Sequence, residues 1–136
     1  MAVDKILEVG GIAAGFAGRV FAQTGYDVVR IEGSGYANSP AWVSDHALDL
    51  FLHSGKRRIA TDDPDLIAEL AAQADIVILE AASADAVLTA GFDHWTCPVK
   101  IAITPFGRTG PRKNWRGTEN VLQAMGGYSN LIGDQD

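Results

Sequence analysis

The sequence contains few of the residues that identify disulfide-bonded or metal-binding proteins. Its 136 residues include one cysteine, Cys97, and three histidines. A single cysteine cannot form an internal disulfide, and no cluster of cysteine with histidine provides the ligands of a structural zinc ion. His46, His53 and His94 are scattered along the sequence without a spacing partner. We therefore predict neither an oxidised secreted framework nor a metal site.

Long apolar stretches are also absent. Charged residues interrupt every apolar run before the roughly 20 residues that a bilayer requires, and the N-terminus has no apolar segment followed by a cleavage site. We therefore expect a cytoplasmic protein that does not enter the membrane. The length is typical of one domain and 47% of the residues are hydrophobic, so we predict a single domain over residues 1–136.

Positive charge is scarce and unevenly distributed. The chain has 11 lysines and arginines against 17 acids, a net charge of −6, which argues against nucleic acid as a partner. Seven of the basic residues lie in two short stretches, residues 56–58 and residues 108–116. Such local basic sites suit a small polyanion such as a nucleotide or a CoA-type phosphate ligand. The alternative is that both stretches are solvated loops.

Apolar periodicity predicts strands that alternate with helices. Short, nearly continuous apolar runs predict strands at residues 5–9, 27–32, 57–61, 75–79 and 99–104. Helical spacing predicts helices at residues 13–24, 64–73, 84–89 and 118–125. We expect the Asp62–Asp63 pair to provide the N-cap of the second helix and Thr118 that of the last. Residues 33–40 are turn-rich, and residues 41–53 read as a short helix or an irregular excursion. This alternation predicts an α/β fold with a mostly parallel sheet and helices on both faces.

The first strand-to-helix turn partly matches a dinucleotide-binding fingerprint. Residues 13–18 carry the pattern with its first glycine replaced by alanine, and Glu32 ends the second strand, where an acid would bind ribose. The tight turn itself, however, belongs to residues 10 and 11. Gly15 and Gly18 are explained more simply by close packing of the helix on a strand, which needs no cofactor.

Seven segments, taken in order, resemble a known family. They are residues 6–8, 14–19, 25–32, 54–59, 74–80, 106–111 and 119–127. Together they resemble the family III CoA-transferases, which include formyl-CoA transferase, carnitine CoA-transferase and α-methylacyl-CoA racemase. The resemblance implies that residues 1–136 are a Rossmann-like N-terminal part of a longer protein. It also implies an interlocked dimer and the transfer of CoA from an acyl-CoA to a small carboxylate, without a covalently bound cofactor.

The resemblance assigns ligand-binding roles to particular residues. Ile12 and Ala13 stand in the turn that faces the pantetheine and thioester of CoA. Arg116 corresponds to a lysine position in the loop before the last helix, which makes it the best phosphate ligand. Glu119 corresponds to an acid beside the acyl site of formyl-CoA transferase.

Other positions agree with the family less well. Thr61 and Asp62 belong to the segment that flanks the adenine, but Pro64 follows where some members have lysine. Gly33 replaces a residue that is basic in some members, and residues 80–83 replace the common Glu-Asn-Phe sequence. Several phosphate and adenine contacts of the family are therefore missing from this chain.

The resemblance implies no nucleophile within this chain. The catalytic aspartate of the family follows the Met-Gly-Gly segment at a distance that lies beyond residue 136, and Asp134 and Asp136 are not its counterparts. The racemase histidine would align at about Thr118. Our leading hypothesis is a CoA-binding domain that acts with a C-terminal portion or a partner chain in a homo- or hetero-oligomer, which Trp42 and Trp115 would contact. The alternatives are a non-catalytic structural or assembly homologue and, third, an NAD-binding oxidoreductase domain.

Overall fold

The strands of the described chain form one parallel sheet. The computed structural model describes residues 4–33 and 46–132. Within these ranges the strands are β1 (Lys5–Val9), β2 (Asp27–Glu32), β3 (Arg57–Ala60), β4 (Ile76–Glu80) and β5 (Val99–Ile103). The helices are α1 (Ile12–Gln23), α2 (His46–His53), α3 (Pro64–Ala72), α4 (Ala84–Thr89) and α5 (Glu119–Met125). None of the described helices is long and apolar enough to span a membrane.

The strands are ordered β3-β2-β1-β4-β5, and every neighbouring pair is parallel. This confirms the predicted α/β class. The order reverses at β1, because the chain first builds outward through β2 and β3 and then returns to place β4 on the other side of β1. In such sheets a crevice forms at the reversal, outside the carboxyl ends of the strands.

Two apolar layers cover the sheet, one on each face. Successive residues of a strand point to opposite faces, so the nearly continuous apolar run of β1 contributes Ile6 to one layer and Leu7 to the other. The layer containing Ile6 packs against α1 through Ala14, and the layer containing Leu7 packs against α3 and α4 through Ile67 and Val87. Helices therefore lie on both faces, as predicted.

Element boundaries agree with the sequence predictions to within one residue outside the region between β2 and β3. Helix α1 begins at Ile12, one residue earlier than expected. Within the predicted segment 41–53 the structure shows the helix His46–His53, whereas residues 34–45, including Trp42, and residues 133–136 lie outside the described ranges.

Capping explains where several helices begin. Asp63 caps α3 as predicted, because its side chain accepts hydrogen bonds from the backbone amides of Asp65 and Leu66. Thr118 occupies the N-cap position of α5, but its side chain makes no capping hydrogen bond, which corrects the expected threonine cap. Gly25 adopts a left-handed φ of 96° just after α1, which allows the chain to turn sharply into β2.

Candidate functional site

A cleft of about 980 Å³ opens at the carboxyl ends of β1, β4 and β5. Its lining residues come from the turn after β1, the end of β4, the end of β5 and the segment that leads into α5. They are Ile12, Ala13, Phe16, Glu80, Ala81, Ala82, Ile103, Thr104, Pro105, Arg116, Gly117, Thr118, Glu119, Asn120 and Leu122. The cleft therefore lies at the strand-order reversal, where open α/β sheets bind their ligands.

Four of the sequence-predicted site residues lie in this cleft. Ile12 and Ala13 begin α1, while Arg116 and Glu119 flank the start of α5, more than a hundred residues later in the chain. The parallel arrangement of β1, β4 and β5 brings these two segments to the same edge of the sheet. These four residues therefore line the same cleft, although the sequence related them only through a family resemblance.

Thr61 and Asp62 do not line the cleft. They follow β3, which is an edge strand separated from β1 by β2. The Thr61 hydroxyl accepts a hydrogen bond from the Asp63 amide at 3.1 Å, just before α3 begins. The structure therefore places this pair away from the other four predicted residues.

Glu80 is the cleft residue with the most informative contacts. It ends β4, and its Oε2 accepts a hydrogen bond of 2.9 Å from the backbone amide of Ala14 in the first turn of α1. A dinucleotide-binding domain instead uses the N-terminus of this helix to bind a pyrophosphate. Because a carboxylate of the chain already occupies that position, the geometry argues against the NAD-binding alternative.

The basic stretch at residues 56–58 is paired with acids of the fold, which corrects the expectation of free positive charge there. Lys56 forms an ion pair with Glu8, Arg57 pairs with Asp27, and Arg58 pairs with Glu32 and Asp49. The register of β3 on β2 places Arg57 near Asp27 and Arg58 near Glu32, whereas Lys56 precedes β3 and reaches Glu8 of β1. Their charge is therefore neutralised within the fold.

The Lys56–Glu8 pair belongs to a buried charged cluster under α1. Glu8 is fully buried, and its two oxygens pair with Arg30 and Lys56 respectively. Each cation also donates to a backbone carbonyl near the start of α1: Arg30 Nη2 to Gly10 at 3.0 Å and Lys56 Nζ to Gly15 at 2.7 Å. The cluster thus connects the core to the turn that lines the cleft.

His53 lies beside this cluster in its neutral form. Burial, together with the positive charges of Arg30 and Lys56, lowers the pKa of His53 to about 4. Its Nδ1 lies 3.3 Å from Lys56 Nζ, so that nitrogen accepts a hydrogen bond from the ammonium group. Burial also lowers the pKa of Lys56 from its ordinary value, partly offset by Glu8.

The second basic stretch lies in the loop between β5 and α5. Arg108 pairs with Asp93 at 2.6 Å, whereas Arg112, Lys113 and Arg116 have no acidic partner within 4 Å among the described residues. All three are exposed, and Arg116 lines the cleft. This loop therefore supplies the unpaired positive charge at the site.

Backbone and side-chain contacts hold this loop in place. Asn114 accepts a hydrogen bond from the Asp85 amide at 3.1 Å and donates one to the Asp85 carboxylate at 2.7 Å. The carbonyl of Lys113 accepts a hydrogen bond from the Ala84 amide at 3.0 Å. Trp115 remains half exposed, with its ring against Phe106. Sequence reasoning missed the anchoring role of Asn114, since the contact joins distant parts of the chain.

Comparison with known proteins identifies relatives of this chain. Succinate–glutarate CoA-transferase from Agrobacterium fabrum is 28% identical over 156 residues, which cover 97% of this chain and 39% of that protein. A protein named probable CoA-transferase from Mycobacterium tuberculosis is 32% identical over 123 residues, covering 80% of this chain and 16% of that protein. The chain thus spans well under half the length of either relative.

A solved structure and a family profile agree with these relatives. The crystal structure of a CaiB/BaiF family protein from Brucella suis superimposes with a TM-score of 0.84 at 25% identity, covering 98% of this chain and 40% of the other. The profile described as CoA-transferase family III matches residues 4–136. Because this match extends over nearly the whole sequence, the chain belongs to CoA-transferase family III.

Proposed function

We propose that the cleft binds the CoA moiety of an acyl-CoA and that the protein transfers CoA to a small carboxylate. One observation carries this proposal: Ile12, Ala13, Arg116 and Glu119 line a single cleft at the strand-order reversal. The cleft combines apolar walls with a cation that has no acidic partner among the described residues, which suits a ligand with a neutral arm and phosphate groups.

Each of these residues has a distinct proposed role. Arg116 binds a phosphate of CoA, and the turn at Ile12 and Ala13 contacts the pantetheine and thioester. Glu119 is the acid beside the acyl group. Binding energy gained at the phosphate end then holds the thioester in a reactive position. Thr61 and Asp62 remain a prediction for the adenine, from a position two strands away from β1.

The chemical step requires a carboxylate from outside residues 1–136. An aspartate oxygen attacks the thioester carbonyl carbon, the CoA thiolate leaves, and a mixed anhydride forms on the aspartate. The fold proposed here for residues 1–136 is one Rossmann-like domain of a cytoplasmic oligomer, whose C-terminal portion or partner chain supplies that aspartate. Exposed apolar residues are consistent with such a partner, including Trp115, Leu131 and Ile132.

A non-catalytic structural homologue is the second candidate. The observation that favours it is the pairing of all three cations of residues 56–58 with acids of the fold. If neutralisation of this stretch marks the loss of a ligand site, the protein would retain the fold without binding CoA.

Titration of the protein at its full natural length separates these candidates. Acetyl-CoA, CoA and NAD are titrated in parallel by calorimetry, and transfer of CoA from succinyl-CoA to glutarate and to other small carboxylates is followed by chromatography. Saturable CoA binding together with transfer supports the proposal. If none of the three ligands binds, the result supports the structural homologue. Tighter binding of NAD than of CoA contradicts both candidates.

A further inference from the structure

Helix α1 begins at the cleft without a capping residue of its own. Gly11 occupies the N-cap position and provides no side chain, and the first turn of this 12-residue helix contains no acid. The first amide groups of a helix lack partners within the helix and carry a partial positive charge. Glu80, from the neighbouring strand β4, supplies both the hydrogen-bond acceptor and the negative charge by binding the Ala14 amide.

The turn is shaped closely around the Glu80 side chain. A Cβ atom on Gly11 would lie 3.0 Å from Glu80 Oε1 and 3.3 Å from Oε2. A Cβ atom on Gly10 would lie 2.6 Å from Glu80 Cβ and 2.7 Å from its carbonyl oxygen. Glycine at both positions therefore allows β4 and its carboxylate to approach the turn.

The cleft carries charges of both signs. Glu80 and Glu119 bring negative charge to the parts of the cleft formed by β4 and by the start of α5. Positive charge comes from Arg116, with Arg112 and Lys113 nearby in sequence on the same loop. An anion that enters the cleft is thus attracted by the loop and repelled by the carboxylate at the start of α1.

We propose that Glu80 is a specificity-determining residue of the cleft, because its carboxylate occupies the anion position at the start of α1 and keeps phosphate groups away from it. This inference rests on the proposed function, in which the cleft binds acyl-CoA. It assigns the phosphates to the Arg116 side and leaves the α1 side to uncharged parts of the ligand. It also explains how a Rossmann-like turn selects against dinucleotides.

The test uses inorganic pyrophosphate as the probe and the protein at its full natural length. All variants carry Arg116→Ala, which removes the other anion-binding group of the cleft. Adding Glu80→Ala frees the amide groups of α1 and is expected to raise pyrophosphate affinity about tenfold. Adding Glu80→Gln keeps the volume and a hydrogen-bond acceptor but removes the charge, so we expect a gain of about threefold. Glu69→Gln is the control, since Glu69 is exposed on α3, does not line the cleft and has no ion-pair partner among the described residues.

The outcomes distinguish this inference from the proposed function. A gain in pyrophosphate affinity with the Glu80 variants and none with Glu69→Gln supports the inference. Unchanged pyrophosphate affinity in folded Glu80→Ala and Glu80→Gln proteins overturns it, and Glu80→Gln decides alone if Glu80→Ala does not fold. The proposed function is tested separately, because it fails if the protein with Glu80 and Arg116 intact does not bind CoA.

Discussion

Glu8 and Gly18 are packed so closely that no side chain fits between them. A Cβ atom on Gly18 would lie far inside the contact distance of Glu8 Oε2 and 3.1 Å from Lys56 Nζ. Helix α1 therefore passes directly over a buried ion pair, and the glycine is required by packing, as the sequence pattern predicted.

Gly18→Ala tests this relationship, because helix propensity and packing predict opposite changes in the free energy of unfolding. Helix propensity alone predicts that alanine stabilises the helix by about 1 kcal/mol. The overlap with a fully buried carboxylate predicts a loss of about 3 kcal/mol in the free energy of unfolding. Urea denaturation of the two proteins measures the difference, and a more stable alanine variant would contradict the packing described here.

Lys56→Met is expected to destabilise the protein strongly. The substitution leaves Glu8 buried with one oxygen no longer paired, which costs about 3 to 5 kcal/mol. Arg57→Met is the matched control, because its pair with Asp27 is exposed and contributes at most about 1 kcal/mol. Thermal unfolding of both variants gives the comparison. Equal decreases in the unfolding temperature of the two variants would show that the buried ion pair stabilises the protein no more than the exposed one.

His53 makes stability depend on pH in a defined range. Its pKa is about 4 in the folded protein against 6.5 for an unperturbed histidine, so between these values the unfolded state binds more protons. The free energy of unfolding therefore falls as the pH is lowered from 6.5 to 4, by about 2 kcal/mol from this group. The free energy of unfolding, measured by urea denaturation at several pH values in this range, should depend less steeply on pH in His53→Gln. An equal pH dependence in the two proteins would refute the assignment.

Asn114→Ala should weaken CoA binding although Asn114 does not line the cleft. The substitution removes both hydrogen bonds to Asp85 and so releases the loop that carries Arg116. Ordering that loop on binding then costs additional entropy, and we expect the CoA dissociation constant to rise about fivefold. Calorimetry measures the change. Gln73→Ala is the control, because Gln73 is exposed and does not line the cleft. Asn120→Ala is unsuitable, because Asn120 lines the cleft.

The fold was largely predictable from the sequence, because strands buried on both faces need continuous apolar runs. The run at β4 has this property, and that at β1 has it apart from Glu8. The glycines and caps between elements mark most boundaries. Parallel pairing and helices on both faces follow from the alternation of strands with helices.

The chemistry of the site was less predictable, because it depends on contacts between distant parts of the chain. The bond from Ala14 to Glu80 joins residues 66 apart, and the strand-end position of Glu80 does not reveal it. The neutralisation of residues 56–58 depends on the neighbour and register of β3, which local patterns do not specify. Family resemblance was needed to select Arg116 and Glu119 from among many exposed charges.

The affinity for CoA of Arg116→Ala, compared with Arg57→Ala, tests the central claim most directly. Both substitutions remove one arginine from the same protein, but only Arg116 lines the cleft, whereas Arg57 pairs with Asp27. Loss of a charge-assisted phosphate contact predicts a CoA dissociation constant raised by about tenfold or more for Arg116→Ala. Arg57→Ala should leave it within about twofold, since exposed ion pairs contribute little. Equal CoA affinities for the two variants would contradict the placement of the CoA phosphates beside Arg116.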